Sequence, residues 1–240
     1  LGGTTVIMAD DNNNGYFGES FADAVYNPKT GYGCPFSTTM LAGGSLYSVL
    51  ASRSGLDVKY RLITDATGLV DAYAKSGCAT KSPCVIVRGA GRASSLCFDI
   101  AYEGGVKIPV GMYKLSGAFY KEVEVIAEHC DITFAVEADG VASFEWGTAL
   151  STEVAGKYYD NLKEMVFSPP IKVFGAKGEE YRGEYITARN FKSYARCRKA
   201  DGSTTGGTFP WQMKDVNVDP TNTERMFTNL AVKVPEDAVD

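Results

Sequence analysis

Between residues 112 and 146 the chain is a close succession of short segments in which apolar and polar residues alternate. Residues 112–115, 119–127, 131–137 and 141–146 are each of strand length, with only a few residues between them. Alternation with a period of two sends successive side chains to opposite faces of a pleated sheet, so each segment specifies a strand with one face buried. Ala138-Asp139-Gly140 lies between the last two and predicts a hairpin turn. Sheets patterned this way must cover their apolar faces against one another or close on themselves. The fold class expected is mainly β: an antiparallel sandwich- or barrel-like domain carrying about three helices.

Further strands are read at 4–8, 56–64, 84–88, 96–102 and 106–109, and again at 171–174, 181–188, 193–198, 209–216 and 229–234. The alternation at 56–64 describes a half-buried strand, and Glu103-Gly104-Gly105 reads as a hairpin connection. The helices are placed at 37–52, 68–76 and 152–166. Ser37 or Thr38 caps the first, over an apolar set of Met40, Leu41, Leu46, Val49 and Leu50, although Gly43-Gly44 weakens it. Asp65 precedes the second and Gly77 closes it. Ser151 or Thr152 caps the third, Glu153 complements its positive end, and Tyr158, Leu162 and Met165 or Val166 form its stripe. Ser168-Pro169-Pro170 stops it.

No repeat and no linker-like stretch divides the 240 residues, so one strand-rich domain is expected over 1–240. The early helices leave room within it for a small α/β subdomain at 1–95. A hydrophobic content of 45% against 22% charged residues gives such a chain a core and argues against disorder. The net charge of −5 repels polyanions and disfavours nucleic acid as a partner. Apolar runs such as Cys84-Val85-Ile86-Val87 fall far short of the roughly 20 residues that cross a bilayer, so no membrane span is expected. The chain opens on Leu1 without a basic start and apolar run, and it reads as processed or trimmed.

Six cysteines, Cys34, Cys78, Cys84, Cys97, Cys130 and Cys197, leave two expectations open. One is a disulfide framework, with Cys78 and Cys84 closing a short loop. The other is a set of buried thiols.

The pattern that speaks most directly of chemistry is the loop Asp10-Asp11-Asn12-Asn13-Asn14-Gly15-Tyr16-Phe17-Gly18-Glu19. Side-chain oxygens at Asp10, Asn12 and Asn14 alternate, Gly15 permits a sharp bend, and Tyr16 can add a backbone carbonyl. Such a site takes calcium, with Asp10, Asn12, Asn14, Tyr16 and Glu19 as ligands. The helix-loop-helix version requires a glutamate where Phe21 stands, and Glu19 comes two residues early. The plainer reading is an Asx-rich turn at the surface.

Other candidates are weaker. Gly89-Ala90-Gly91-Arg92 lacks the third glycine of a dinucleotide loop. His129 is the single histidine, which leaves neither a zinc set nor a built nucleophile-base pair, and no catalytic residue is assigned. Glu122, Glu124, Glu128, Glu137, Asp139 and Glu145 crowd adjacent strands, the arrangement a glycan hydrolase needs and one that any acidic sheet supplies. Lys192, Tyr194, Arg196 and Arg198 share one strand face beside Phe191, offering contact to an anionic glycan or to an acidic protein surface.

A sheet-rich body with long glycine loops and no catalytic set points to a non-enzymatic structural subunit. Such a protein self-assembles into a capsid, tail or surface-layer particle and is virion-associated or extracellular. The alternatives are an extracellular calcium-dependent carbohydrate-binding or adhesive module and a carboxylate-based glycan hydrolase.

Overall fold

The structure, a computed structural model, describes residues 3–29, 31–78, 81–120, 123–147, 150–159, 161, 164–182, 192–199, 201, 203–210, 213–219, 222–227, 230–233 and 238–239. Its elements are strands, with one 3-10 turn at Gly91–Ala93. The mainly-β, antiparallel class expected from the alternation is what the chain adopts. Contacts divide it into two compact units, Leu1–Leu150 with Gly175–Glu180 and Ser151–Phe174 with Tyr181–Asp240.

In the first unit β1 (Ile7–Ala9), β2 (Ala24–Asn27) and β3 (Tyr32–Pro35) form an antiparallel sheet with β2 in the middle. β4 (Thr39–Ala42), β5 (Ser45–Ala51) and β6 (Val58–Leu62) form another around β5. Val25, Phe36, Met40 and Val49 join these sheets in a small buried core.

The larger core belongs to eight further strands: β7 (Thr67–Val70), β8 (Cys84–Ala90), β9 (Cys97–Asp99), β10 (Val106–Pro109), β11 (Gly111–Tyr120), β12 (Val123–Ile126), β13 (Thr133–Val136) and β14 (Val141–Ala142). β11 is the spine. One edge pairs with β8, which carries β9 beyond it. The other edge is shared, β13 running along Gly111–Lys114 and β12 along Gly117–Tyr120. Between these halves the register with β8 shifts at Leu115/Gly117, a bulge that takes Ser116 out of the ladder. Cys84 to Val87 are all buried because β8 is covered on both faces, which is why its sequence is a continuous apolar run. Phe98, Tyr113, Phe134 and Phe144 stack in a row through the core, their centroids 6.2, 6.0 and 4.6 Å apart. Trp146 is fully buried, and its indole N–H donates to the Ala72 carbonyl at 2.7 Å.

The second unit holds β15 (Ser151–Tyr159) and β16 (Glu164–Phe174), followed by β17 (Glu180–Arg182), which spans the boundary in sequence. Next come β18 (Lys192–Lys199), β19 (Thr204–Pro210), β20 (Met213–Asp219), β21 (Asn222–Phe227), β22 (Leu230–Lys233) and β23 (Ala238–Val239). β16 pairs with β15 and β22, β18 with β19 and β23, and β20 with β21.

No α-helix occurs among the described residues, and the three expected helices are all corrected. Residues 37–52 form the β4–β5 hairpin. Gly43 and Gly44 have φ of +58° and +77°, the two left-handed residues of a tight hairpin loop, and Ala42 pairs with Ser45 across them. Residues 68–76 hold most of β7 and then a turn in which Asp71 Oδ1 accepts the N–H groups of Tyr73 (2.9 Å) and Ala74 (3.1 Å). Residues 152–166 run through β15 into β16, paired in register from Tyr158↔Met165 to Tyr159↔Glu164. Pro169 and Pro170 sit where the partner of β15 jumps from Lys172 to Ser168, a bulge that takes no ladder bond from either proline.

Two expected hairpins are also corrected. Glu103-Gly104-Gly105 joins β9 to β10, but β9 pairs with β8 and β10 with β7. The turn at Ala138-Asp139-Gly140 forms, with Asp139 at φ +56°, yet β14 leaves β13 and lies parallel to β7. Within 56–64, strand β6 is exposed at all five residues rather than half-buried.

Candidate functional site

The Asp10 loop folds on its own side chains. Asp10 Oδ1 and Oδ2 accept the N–H groups of Asn14 (3.1 Å) and Gly15 (2.7 Å). Asn12 Oδ1 accepts the Asn14 N–H at 3.0 Å, and Asn14 Oδ1 accepts that of Tyr16 at 2.8 Å. The amide groups of Asn12 and Asn14 both donate to Glu19 Oε2, at 3.4 and 2.6 Å. Arg53 lies 5.0 Å over the Tyr16 ring. The structure therefore brings together Asp10, Asn12, Asn14, Tyr16 and Glu19 as a set of nested Asx turns. A calcium ion would compete with these donors for the same lone pairs.

Among the described residues Cys34, Cys84, Cys97 and Cys130 are free thiols, so the expected Cys78–Cys84 bridge does not form. The side chain of Cys197 lies outside the described residues. Cys34, Cys84 and Cys97 meet where β3 crosses β8 and β9, packed with Tyr32, Ile86 and Phe119. A hydrogen bond to Cys97, together with burial, holds the Cys34 thiol well above its ordinary value. Burial and the neighbouring Asp99 push the Cys84 thiol up as well. Thiols held protonated are poor nucleophiles and poor metal ligands, so this cluster acts as core packing. Asp99 Oδ1 accepts the N–H groups of Val85 (3.0 Å) and Ala101 (3.1 Å), yet burial still raises its carboxyl above the ordinary range.

The carboxylates separate. Glu124 and Glu128 line one cavity of about 460 Å³, whereas Glu145 pairs with Lys177 at 3.1 Å beside another depression. Glu137 and Asp139 are exposed around their turn, and Glu122 lies outside the described residues. His129 is exposed while Cys130 beside it is buried. In the glycine loop a Cβ on Gly89 would meet the Ala93 carbonyl oxygen at 1.8 Å, so that glycine serves close backbone packing. Lys192, Tyr194, Arg196 and Arg198 alternate on β18, which pairs with β19 along its length and with β23 at Arg198–Lys199. Arg189 and Phe191 lie outside the described residues.

Two features escaped the sequence. The first is an overhanging apolar row on β6. Val58, Tyr60 and Leu62 stand opposite Ala51, Val49 and Tyr47 and share their face. Val49 covers the small core, but β6 extends past it, leaving the three residues 47%, 61% and 53% exposed. Leu56, in the connection to β5, is 87% exposed. The second is the 460 Å³ cavity, where strands β2 and β3 face β8, β11 and β12. Arg88 projects there between Glu128, 3.8 Å away, and the Phe21 ring, 5.3 Å from its guanidinium carbon. Ser116, released by the β11 bulge, donates to Glu128 Oε1 at 3.3 Å.

Comparison with protein-family models, with curated proteins and with solved structures returns no match to this chain. Among the described residues no helix is long and apolar enough to cross a membrane.

Proposed function

We propose that the protein is a non-enzymatic structural subunit that self-assembles, of the capsid, tail or surface-layer type, and acts on a virion or outside the cell. The observation that carries this reading is the row Val58, Tyr60 and Leu62, apolar side chains on the core side of a sheet that the small core leaves 47%, 61% and 53% exposed. An apolar row of this kind, rimmed by polar residues, marks a surface that a protein partner covers. The partner is a second copy of the chain. Lys59 and Arg61 occupy the alternate positions of β6 and set like charges against any direct pairing of two β6 edges. Copies therefore meet face to face across the apolar row.

The test is sedimentation velocity across a concentration series, on the wild type and on the double variant Val58→Asp/Leu62→Asp. The wild type is expected to associate and the variant to remain monomeric, with the same far-ultraviolet circular dichroism. A wild type that stays monomeric at the highest concentration overturns the reading, and so does a folded variant that assembles as the wild type does.

A further inference from the structure

Cys34, Cys84 and Cys97 come from three strands and converge on one point of the first unit, where β3 packs against β9 and β8. In the reduced chain they fill space, but filling space does not require one sulfur to lie within reach of another. Cys34 and Cys97 are within hydrogen-bond reach of each other, side chain to side chain. Cys84 is turned to other partners. Its thiol donates to the Gly33 carbonyl oxygen at 3.6 Å and also bonds the Asp99 carboxylate.

The strand register decides which sulfurs can be joined. Cys97 stands opposite Arg88 on β8, and Cys84 is four residues further along that strand, about 13 Å at 3.3 Å per residue. The two α-carbons of a disulfide are at most about 6.8 Å apart, so Cys84 and Cys97 cannot be bridged. Cys34 arrives from another strand and meets Cys97 directly. Neither a metal nor a ligand accounts for the pair. Among the described residues no group of three Cys, His, Asp or Glu is placed to hold a metal ion. The cleft that both cysteines line, together with Ser37, Met40 and Tyr102, measures about 70 Å³, well under the roughly 300 Å³ of small-ligand sites.

We propose that Cys34 and Cys97 are a disulfide-forming pair, and that oxidation joins them in a bridge fastening β3 to β9. The oxidant is another disulfide, the class of reagent that oxidising compartments hold. Cys34, the less buried of the two, attacks one sulfur of that disulfide as its thiolate and releases the other sulfur as a thiolate. The Cys97 thiolate then attacks Cys34 Sγ and displaces the sulfur bound there. The protons lost by Cys34 and Cys97 pass to the two sulfurs released, so one disulfide is reduced to two thiols for the one formed. In the folded chain burial and the contact with Cys97 hold Cys34 protonated and make this exchange slow. The bridge therefore closes while the chain folds, and with Cys97 only 2% exposed it then resists reduction. The loop it encloses contains β4, β5 and β6, so the unfolded chain loses the freedom of about 60 residues. None of this depends on self-assembly.

Peptide mapping of the full chain tests the proposal. The protein is folded in a buffer of reduced and oxidised glutathione, blocked with iodoacetamide and digested with trypsin without reduction. Trypsin leaves Cys34, Cys84 and Cys97 on separate peptides, 30–53, 82–88 and 93–107. The expected product is 30–53 joined to 93–107, and reduction is expected to lower the thermal midpoint by roughly 10 °C. Cys34→Ala is expected to lose both the linked peptide and the shift, and Cys84→Ala to keep both. The map of the wild type decides the pairing even if Cys34→Ala does not fold. Three outcomes overturn the proposal: 30–53 and 93–107 are recovered separately alkylated from the folded protein, either is joined mainly to a different cysteine, or folded Cys34→Ala shows the same shift on reduction as the wild type.

Discussion

Asp99 is the residue whose protonation the fold changes most usefully for a test. Its carboxyl is raised by burial, while two backbone N–H groups pull the other way without restoring it. An acid whose folded-state value lies above its unfolded one binds more protons when folded, so stability from this group is complete below the unfolded value of 3.8 and falls as pH rises through the raised one. Asp99→Asn keeps an oxygen for Val85 and Ala101 and removes the charge. The variant is expected to be the more stable protein at neutral pH and to lose this part of the decline, as read by urea midpoints at a series of pH values. A decline identical to the wild type's would show that Asp99 is not its source. Residues of this kind are hard to read from sequence. Asp23 sits in a polar stretch and Arg88 at the end of a strand, and nothing local says that their side chains meet a common cavity. The one trace is that Arg88 breaks the parity of an otherwise wholly buried run, a charge at the position where Cys84 and Ile86 face inwards.

At the scale of the element, strands with clear alternation were legible and glycine was misread. Val106–Pro109 appears within the bounds its pattern gives, and β8 follows from its unbroken apolar run. Residues 37–52 read as a helix because Met40, Leu41, Leu46, Val49 and Leu50 also satisfy a helical stripe. The strand reading follows from Gly43-Gly44, a two-residue loop between two strand-length segments, with Met40, Ala42 and Val49 buried on one face of the hairpin. Both glycines hold positive φ, and the turn makes different demands on other residues. Gly43→Asn is expected to leave the thermal midpoint unchanged or raise it, because asparagine accepts the left-handed conformation and narrows the unfolded ensemble. Gly44→Val is expected to cost about 2 kcal/mol, the penalty of forcing a β-branched residue into that region. Equal midpoints for the two variants would mean the hairpin loop does not set the stability of this sheet.

Topology is where the sequence stops for the molecule as a whole. The turns at Glu103-Gly104-Gly105 and Ala138-Asp139-Gly140 form, but the strands leaving them, β10 and β14, pair with β7 instead of with the strands that enter them, a choice made by distant partners. The same long-range choice leaves β6 at the edge of its sheet with its apolar row uncovered. If copies of the chain cover that row, association and folding are linked, because a partner that binds only the folded state stabilises it by mass action. The thermal midpoint of the wild type is then expected to rise with protein concentration, by roughly 2 °C for each tenfold in a dimerising chain of this size. Val58→Asp/Leu62→Asp should show a midpoint independent of concentration, below the wild type's at high concentration and converging on it at high dilution. Substituting exposed apolar residues on a strand that contributes little to its own core should cost the isolated subunit little. A midpoint that is flat with concentration in both proteins would place the row outside any interface. A variant that is equally destabilised at every dilution would make its residues part of the fold itself.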